Sequence, residues 1–300
     1  MNGVPVTLEI AAVTDIGQKR ASNQDNFYVN GCYIDHYNIA AERFETVDSM
    51  DTHVLAVCDG MGGHADGDVA AMIGVSTISD YAATLSAGGS LEETERNAEE
   101  LLQAANDRIL EQSRVTGKKM GSTVSMLVVA TDYVYACNLG DSEIHHKHQY
   151  GIDRLSKPQT FAQALLDVGA ISENQASHSY IRNQLSQYLG MENRRGIRPN
   201  RQYTSIRNGD MLLICSDGIT DVLQRHAIYA SLSSERPVKD IADALIEKAL
   251  RKGSGDNLTV VIARVLDDGR ALRLRRRLTM LGVVAAGVIA LLFLLGRLLG

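Results

Sequence analysis

Cysteine and proline are both scarce, at four residues each in a chain of 300. Cys32, Cys58, Cys137 and Cys215 are too few and too scattered for a disulfide scaffold or a zinc cluster. Three of them sit in the apolar runs LAVCD, VYACN and LLICS, where cysteine serves as a small buried hydrophobe, which favours a reducing compartment. Four prolines provide no Pro-rich linker that would mark a second domain. The chain also lacks internal repeats and low-complexity segments, and its start, MNGVPVTLEI, lacks the basic region and long apolar run of a secretory signal. With 45% hydrophobic and 22% charged residues, the composition is that of a globular protein and excludes a disordered or collagen-like chain.

The formal net charge of −6 averages two unlike parts. Residues 269–300 hold six arginines and neither lysine nor acid, so residues 1–268 carry 24 basic against 36 acidic residues, a net charge of −12. That acidity argues against nucleic acid as a partner. Residues 279–296, TMLGVVAAGVIALLFLLG, contain no charge. As a helix they would reach roughly 27 Å, near a bilayer core, and predict a single membrane span over 278–296. Arg273 and Arg275 to Arg277 precede the apolar run and only Arg297 follows it, so the positive-inside rule expects the acidic body in the cytoplasm, anchored to the cytoplasmic membrane. Gly282, Ala286 and Ala290 recur every four residues, a pattern that would let two such helices pair as a homodimer. The expected division is a domain over 1–268, a basic juxtamembrane segment over 269–277, and the span.

Within the body, strand-length runs occur at 8–13, 53–58, 123–130, 133–138, 211–216 and 258–265. Thr131-Asp132 between two of them reads as a hairpin turn. Helical spacing occupies about 67–85, 91–114 and 237–252; Ser90 and Glu93 form a capping-box pattern before the second, and Gly253 stops the third. Strands, then helices, then strands again predict an α+β sandwich rather than a regular βαβ alternation.

Aspartates mark the ends of these runs. Asp25 opens DNFYV, Asp59 and Asp217 follow apolar runs directly and precede glycine, Asp141 follows YACNLG, and Asp256 precedes NLTVV. One Asp-Gly is a common turn dipeptide. Several carboxylates delivered by strand ends to one place would repel unless a cation joined them, and an all-oxygen set suits Mg²⁺ or Mn²⁺ rather than Zn²⁺. Spacing alone does not show that they meet.

The ordered set TDIGQKRASNQDNFYV, LAVCDGMGGHADGDVAA, GSTVSMLVV, NLGDSEIH, RNQLSQYLG, MLLICSDGITDVL and GSGDNLTVV resembles the bacterial branch of the PP2C-type (PPM) metal-dependent protein serine/threonine phosphatases, across most of residues 8–265. The resemblance implies an αββα sandwich of two antiparallel sheets flanked by helices, with two divalent cations, Mn²⁺ or Mg²⁺, at one end. It implies that Asp59 bridges both cations with the Gly60 carbonyl completing one sphere, that Asp217 and Asp256 hold one of them, and that Asp25 binds the other side through waters. Arg20 matches the arginine that clamps the substrate phosphate, work suited to its planar fork. Asp141 and Asp221 match positions of a weaker third metal. Hydrolysis by a metal-activated water needs no covalent intermediate, so Cys58 and Cys215 are expected to be core residues, and Ser122 and Thr123 structural. Phosphoprotein substrates, and a Ser/Thr kinase opposed by the enzyme, are the implied partners.

Some positions depart from the pattern. Met61 stands where many relatives have a histidine and cannot donate a proton; nearby His64 is expected to serve local hydrogen bonding. Gln24 replaces a glutamate, Glu143 replaces an arginine, and Lys157 to Thr160 replace a D-H-S stretch. Between Arg182 and Gly209, six arginines face one acid, Glu192, a local charge reversal in which Arg194 and Arg195 are candidate docking residues for an acidic partner. Two other readings stay open: a weakly active phosphoprotein-binding scaffold, and a phosphatase of an anti-anti-sigma-type regulator.

Overall fold

A computed structural model describes residues 4–37, 39–62, 66–85, 90–131, 133–177, 179–192 and 196–299. Chain order begins β1 (Val6–Asp15), β2 (Asp25–Val29), β3 (Cys32–Tyr33), β4 (Ala41–Met50) and β5 (Thr52–Gly62), followed by helices α1 (Gly67–Leu85) and α2 (Leu91–Thr116). Next come β6 (Met120–Ser122), β7 (Val124–Ala130), β8 (Val134–Leu139), β9 (Glu143–His148) and β10 (Gly151–Arg154), then α3 (Phe161–Asp167) and α4 (Glu173–Ser177). The remainder is β11 (Asn200–Thr204), β12 (Met211–Cys215), α5 (Asp217–Thr220), α6 (Arg225–Leu232), α7 (Val238–Arg251), β13 (Leu258–Asp267) and α8 (Arg270–Leu299). One sheet runs β10-β9-β12-β13-β1-β4; the other runs β11-β8-β7-β5-β2-β3, with β6 paired to the far end of β5. The recorded strand pairings are antiparallel.

Period-two alternation assigns each side chain to a layer. On β13, Val261, Ala263 and Val265 enter the layer between the sheets, while Leu258, Val260 and Ile262 pack on α5, α6 and α7. On β5, Leu55 and Val57 face the other sheet, and Val54, Ala56 and Cys58 face α1 and α2. Central strands buried on both faces therefore read as continuous apolar runs, which is why they were legible. The result is four layers, helix pair, sheet, sheet and helices, in agreement with the expected sandwich.

The hairpin forms between β7 and β8, closed by Ala130 N–H donating to the Tyr133 carbonyl at 2.9 Å. The capping box forms as well: Ser90 Oγ accepts from Glu93 N–H, and Glu93 accepts from Ser90 N–H at 2.9 Å. Edge strand β4 is absent from the sequence expectation because AERFETVDSM mixes charged, polar and apolar side chains and leaves more than half of its residues exposed. Charges on an edge strand discourage pairing with another chain.

The C-terminal expectation requires correction. Residues 270–299 do form one helix, α8. Among the described residues, however, no helix is long and apolar enough to cross a membrane, which overturns the single-pass span and the membrane localisation built on it. Helix α8 opens on Arg270, Arg273, Arg275 and Arg276, so its first two turns carry charge rather than an apolar surface. The membrane anchor and the helix-paired homodimer consequently have no support. The side chains of Ala286 and Ala290 and the surroundings of Gly282 lie outside what the structure describes.

Candidate active site

The two sheets deliver their carboxylates to one end of the sandwich. Asp25 opens β2 and stands opposite Asp59 of β5 in the ladder, which puts both side chains on one face. Asp59 is not at the end of its strand: β5 continues through Met61 to Gly62 and trades its β7 partner for β6. Thr123 fixes this crossover, its Oγ1 accepting from Asp59 N–H at 3.0 Å and its own N–H donating to the Asp59 carbonyl at 2.8 Å. Ser122 Oγ donates to the same carbonyl at 3.1 Å, so both hydroxyl residues are structural as expected. From the other sheet, β12 runs into Asp217 at the start of α5, and Asp256 precedes β13.

Close backbone approach explains the glycines after Asp59 and Asp217. A Cβ on Gly60 would fall 1.9 Å from the Gly67 carbonyl oxygen, and one on Gly218 would fall 2.0 Å from that of Asn257. Any side chain at either place would push the neighbouring carboxylate out of position.

The carboxylates sense one another. Burial, then Asp25, Asp217, Asp141 and Asp256, hold the Asp59 carboxyl well above its usual range. Burial followed by Asp141, Asp256, Asp221 and Asp25 does the same to Asp217. Burial raises Asp25 to about 6, even though it accepts from Ser216 Oγ at 2.8 Å. Asp141 is pushed up to about 7, mainly by burial and then by Asp221 and Glu143. Asp217 Oδ1 is buried with no hydrogen-bond partner, so one carboxylate oxygen has been removed from water with nothing to replace it. An all-oxygen set under mutual repulsion, with an orphaned buried oxygen, fits a hard divalent cation. Among the described residues no group of three or more His, Cys, Asp or Glu side chains is by itself arranged to hold a metal ion. Such a cation would need water to complete its shell, as is usual for Mg²⁺.

Arg20 reaches the same place from the loop after β1, with Nη2 2.5 Å from Asp256 Oδ2, and remains nearly half exposed. Asn257 holds that loop. Its buried side chain donates to the Ile16 and Ser22 carbonyls at 2.9 and 3.0 Å and accepts from Gln24 N–H at 2.9 Å. The sequence reading assigned Asn257 no role, although an amide at the mouth of an apolar strand was the available signal. Asn257→Ala is expected to cost about 3 kcal/mol, leaving three backbone groups unpaired. That is a fall of roughly 6–12 °C in Tm, together with a higher KM for phosphosubstrates as Arg20 loosens. Thermal melts beside steady-state kinetics check both, and an unchanged Tm would contradict the assignment.

The departures from the pattern have structural roles. The Gln24 side chain lies against Gly67 at the start of α1, where a Cβ on Gly67 would meet it at 2.8 Å. Burial pushes Glu143 up, but His145, 2.8 Å away, and Arg154, at 3.0 Å, outweigh it and hold the carboxyl below its ordinary range. Gln159 accepts from Gly140 N–H at 3.0 Å and donates to the Arg198 carbonyl at 2.7 Å, joining the Asp141 turn to the following segment. Burial pushes the Cys58 thiol up to about 12 and raises Cys215 further from the thiolate, so neither is a nucleophile.

The expected residues differ in how free they are. Asp221 lies near enough to raise Asp217 and Asp141, but it is itself partly exposed and accepts from Arg182 at 3.3 Å and Asn183 at 3.1 Å. Arg201 pairs with Glu95 and Glu99 of α2, so the arginines of 182–209 are not all available for docking. Arg194, Arg195 and His64 lie outside the described residues.

Known proteins resemble this chain in sequence and in fold. The protein phosphatase 2C family profile matches residues 42–260. The chain is 30% identical to the serine/threonine phosphatase stp of Listeria monocytogenes over 83% of this chain and 92% of that protein. Its fold superposes on a Streptococcus agalactiae serine/threonine phosphatase with a TM-score of 0.72 at 25% identity, covering 86% of this chain and 99% of that one. It also matches the catalytic domain of a serine/threonine protein phosphatase PstP, solved with two manganese ions, with a TM-score of 0.70 at 28% identity over 87% and 100% of the two chains. The chain belongs to the protein phosphatase 2C family and is a metal-dependent serine/threonine protein phosphatase.

Proposed function

We propose that Asp59, Asp217, Asp256 and Asp25, with the Gly60 carbonyl, hold two divalent cations, and that the site hydrolyses phosphoserine and phosphothreonine on proteins. The observation that carries the residue assignment is the buried, unpartnered Asp217 Oδ1 among carboxylates that raise one another's pKa. When bound, such cations acidify water and offset charge on phosphoryl oxygens. Asp59 feels both Asp25 of its own sheet and Asp217 and Asp256 from the other, so it is the group suited to serve both cations. Arg20, now on Asp256, carries a fork that can take two phosphate oxygens. Ser216 orients Asp25, and Thr123 orients the Asp59 backbone. Asp141 and Asp221 are the place for a weaker third cation. Met61 donates no proton, so the leaving oxygen takes its proton from solvent or from the substrate's surroundings. Residues 1–268 form the catalytic unit, and a Ser/Thr kinase is the activity it opposes.

The test uses the full chain and a phosphothreonine peptide, with Mn²⁺, with Mg²⁺ and with chelator. Phosphate release should require a divalent cation, stop on chelation and return when Mn²⁺ is restored. Turnover that ignores chelation would refute the reading.

A further inference from the structure

Beside the carboxylates lies a cavity of about 670 Å³ that the chemistry above does not use. It begins at Met61 and Gly62, the end of the strand that carries Asp59. Two residues of extended chain separate Met61 from Asp59, about 7 Å. Leu110 of α2, Met120 of β6 and Tyr188 supply apolar lining. One wall is built in place: Leu189 exchanges backbone hydrogen bonds with Ser122 at 2.8 and 3.1 Å, and Asn106 accepts from Gly190 and Met191 N–H at 2.9 and 3.2 Å.

The charged lining is basic although residues 1–268 carry a net charge of −12. Arg114, Lys118 and Lys119 line the cavity against one acid, Glu192. Lys118 is held by Asp66 at 2.8 Å, and Arg114 makes an exposed pair with Glu111 at 3.3 Å, a contact of little strength. Lys119 is exposed and makes no ion pair among the described residues. Ser113 Oγ, also in the lining, is buried without a hydrogen-bond partner. A negative segment therefore finds cations and apolar contact within a few residues of Asp59.

We propose that this groove docks an acidic stretch of the substrate polypeptide next to its phosphorylated residue, with Lys119 and Arg114 selecting it. The inference rests on the phosphatase reading and adds a substrate preference to it. Three substrates separate the two: an aryl phosphate, a phosphothreonine peptide flanked by acidic residues, and one flanked by neutral residues. The wild-type chain with Mn²⁺ should favour the acidic peptide through a lower KM, and added salt should weaken that preference. The double variant Lys119→Glu with Arg114→Glu should raise KM for the acidic peptide about tenfold, leaving kcat, the neutral peptide and the aryl phosphate unchanged. Equal use of both peptides by the wild type, or an equal loss on all three substrates in the variant, would overturn the groove while the phosphatase reading stands. Failure of the wild type on the aryl phosphate would instead defeat that reading. The groove then stands or falls on anisotropy with a labelled acidic peptide, which the wild type should bind and the double variant should not.

Discussion

Asp217→Asn and, in parallel, Asp59→Asn should each lower metal-dependent phosphate release on the order of 10³-fold, about 4 kcal/mol of transition-state stabilisation. Asparagine keeps the size of the side chain but removes the charge that attracts a cation. Both positions sit among carboxylates that raise their pKa, so removing one charge also relieves repulsion. The variants should therefore fold and, without metal, melt at or above the wild-type temperature. Loss of activity with unchanged or increased Tm separates a ligand from a structural residue. A variant that keeps full activity would remove that residue from the site, and one that unfolds would show a structural role.

The second large effect couples metal, pH and stability. A carboxylate whose pKa is higher in the folded than in the unfolded state binds more protons when folded. Its contribution is complete below the unfolded value and is lost as pH rises through the folded one. For Asp25, raised from 3.8 to about 6, and Asp141, raised to about 7, that loss runs from about pH 4 to about pH 7. Metal-free protein should consequently lose stability across this window from these groups. Mn²⁺ should restore it where the carboxylates are ionised: at one hundred times Kd, binding adds about 2.7 kcal/mol, or roughly 5–10 °C in Tm. Near pH 4.5 the same addition should do little, because protons occupy the carboxylates. Melting curves with and without Mn²⁺ at both pH values measure this directly. A Mn²⁺ effect of the same size at pH 4.5 and 7.5 would place its binding elsewhere.

The elements most legible in the sequence were those buried on two faces or capped by local chemistry. β5, β7, β12 and β13 read as apolar runs because helices cover one face and the other sheet covers the second. Helix α2 was legible from its helical spacing together with the capping box of Ser90 and Glu93. β4 was hidden by the charges that protect an edge, and short β11 by the arginine-rich composition around it. At the site, strand-to-Asp junctions revealed the carboxylates, but spacing could not reveal that Asp59 lies mid-strand where β5 changes partner. Nor could it reveal that Asn257 and Gln159 tie together segments far apart in sequence, since such hydrogen bonds leave no periodicity. The C-terminal apolar run misled for a related reason. Hydropathy counts the uncharged residues without the arginines that share helix α8 with them, and among the described residues no helix is long and apolar enough to cross a membrane.

The central claim is that these carboxylates form a two-cation hydrolytic site, and equilibrium binding of Mn²⁺ to the full chain tests it most directly. Titration followed by calorimetry, with phosphate release measured on the same samples, should show two Mn²⁺ per chain and turnover that rises with their occupancy. Asp217→Asn should lose at least one of them. Hydrolysis of a phosphothreonine peptide by protein that binds no Mn²⁺, or unchanged stoichiometry in Asp217→Asn, would contradict it.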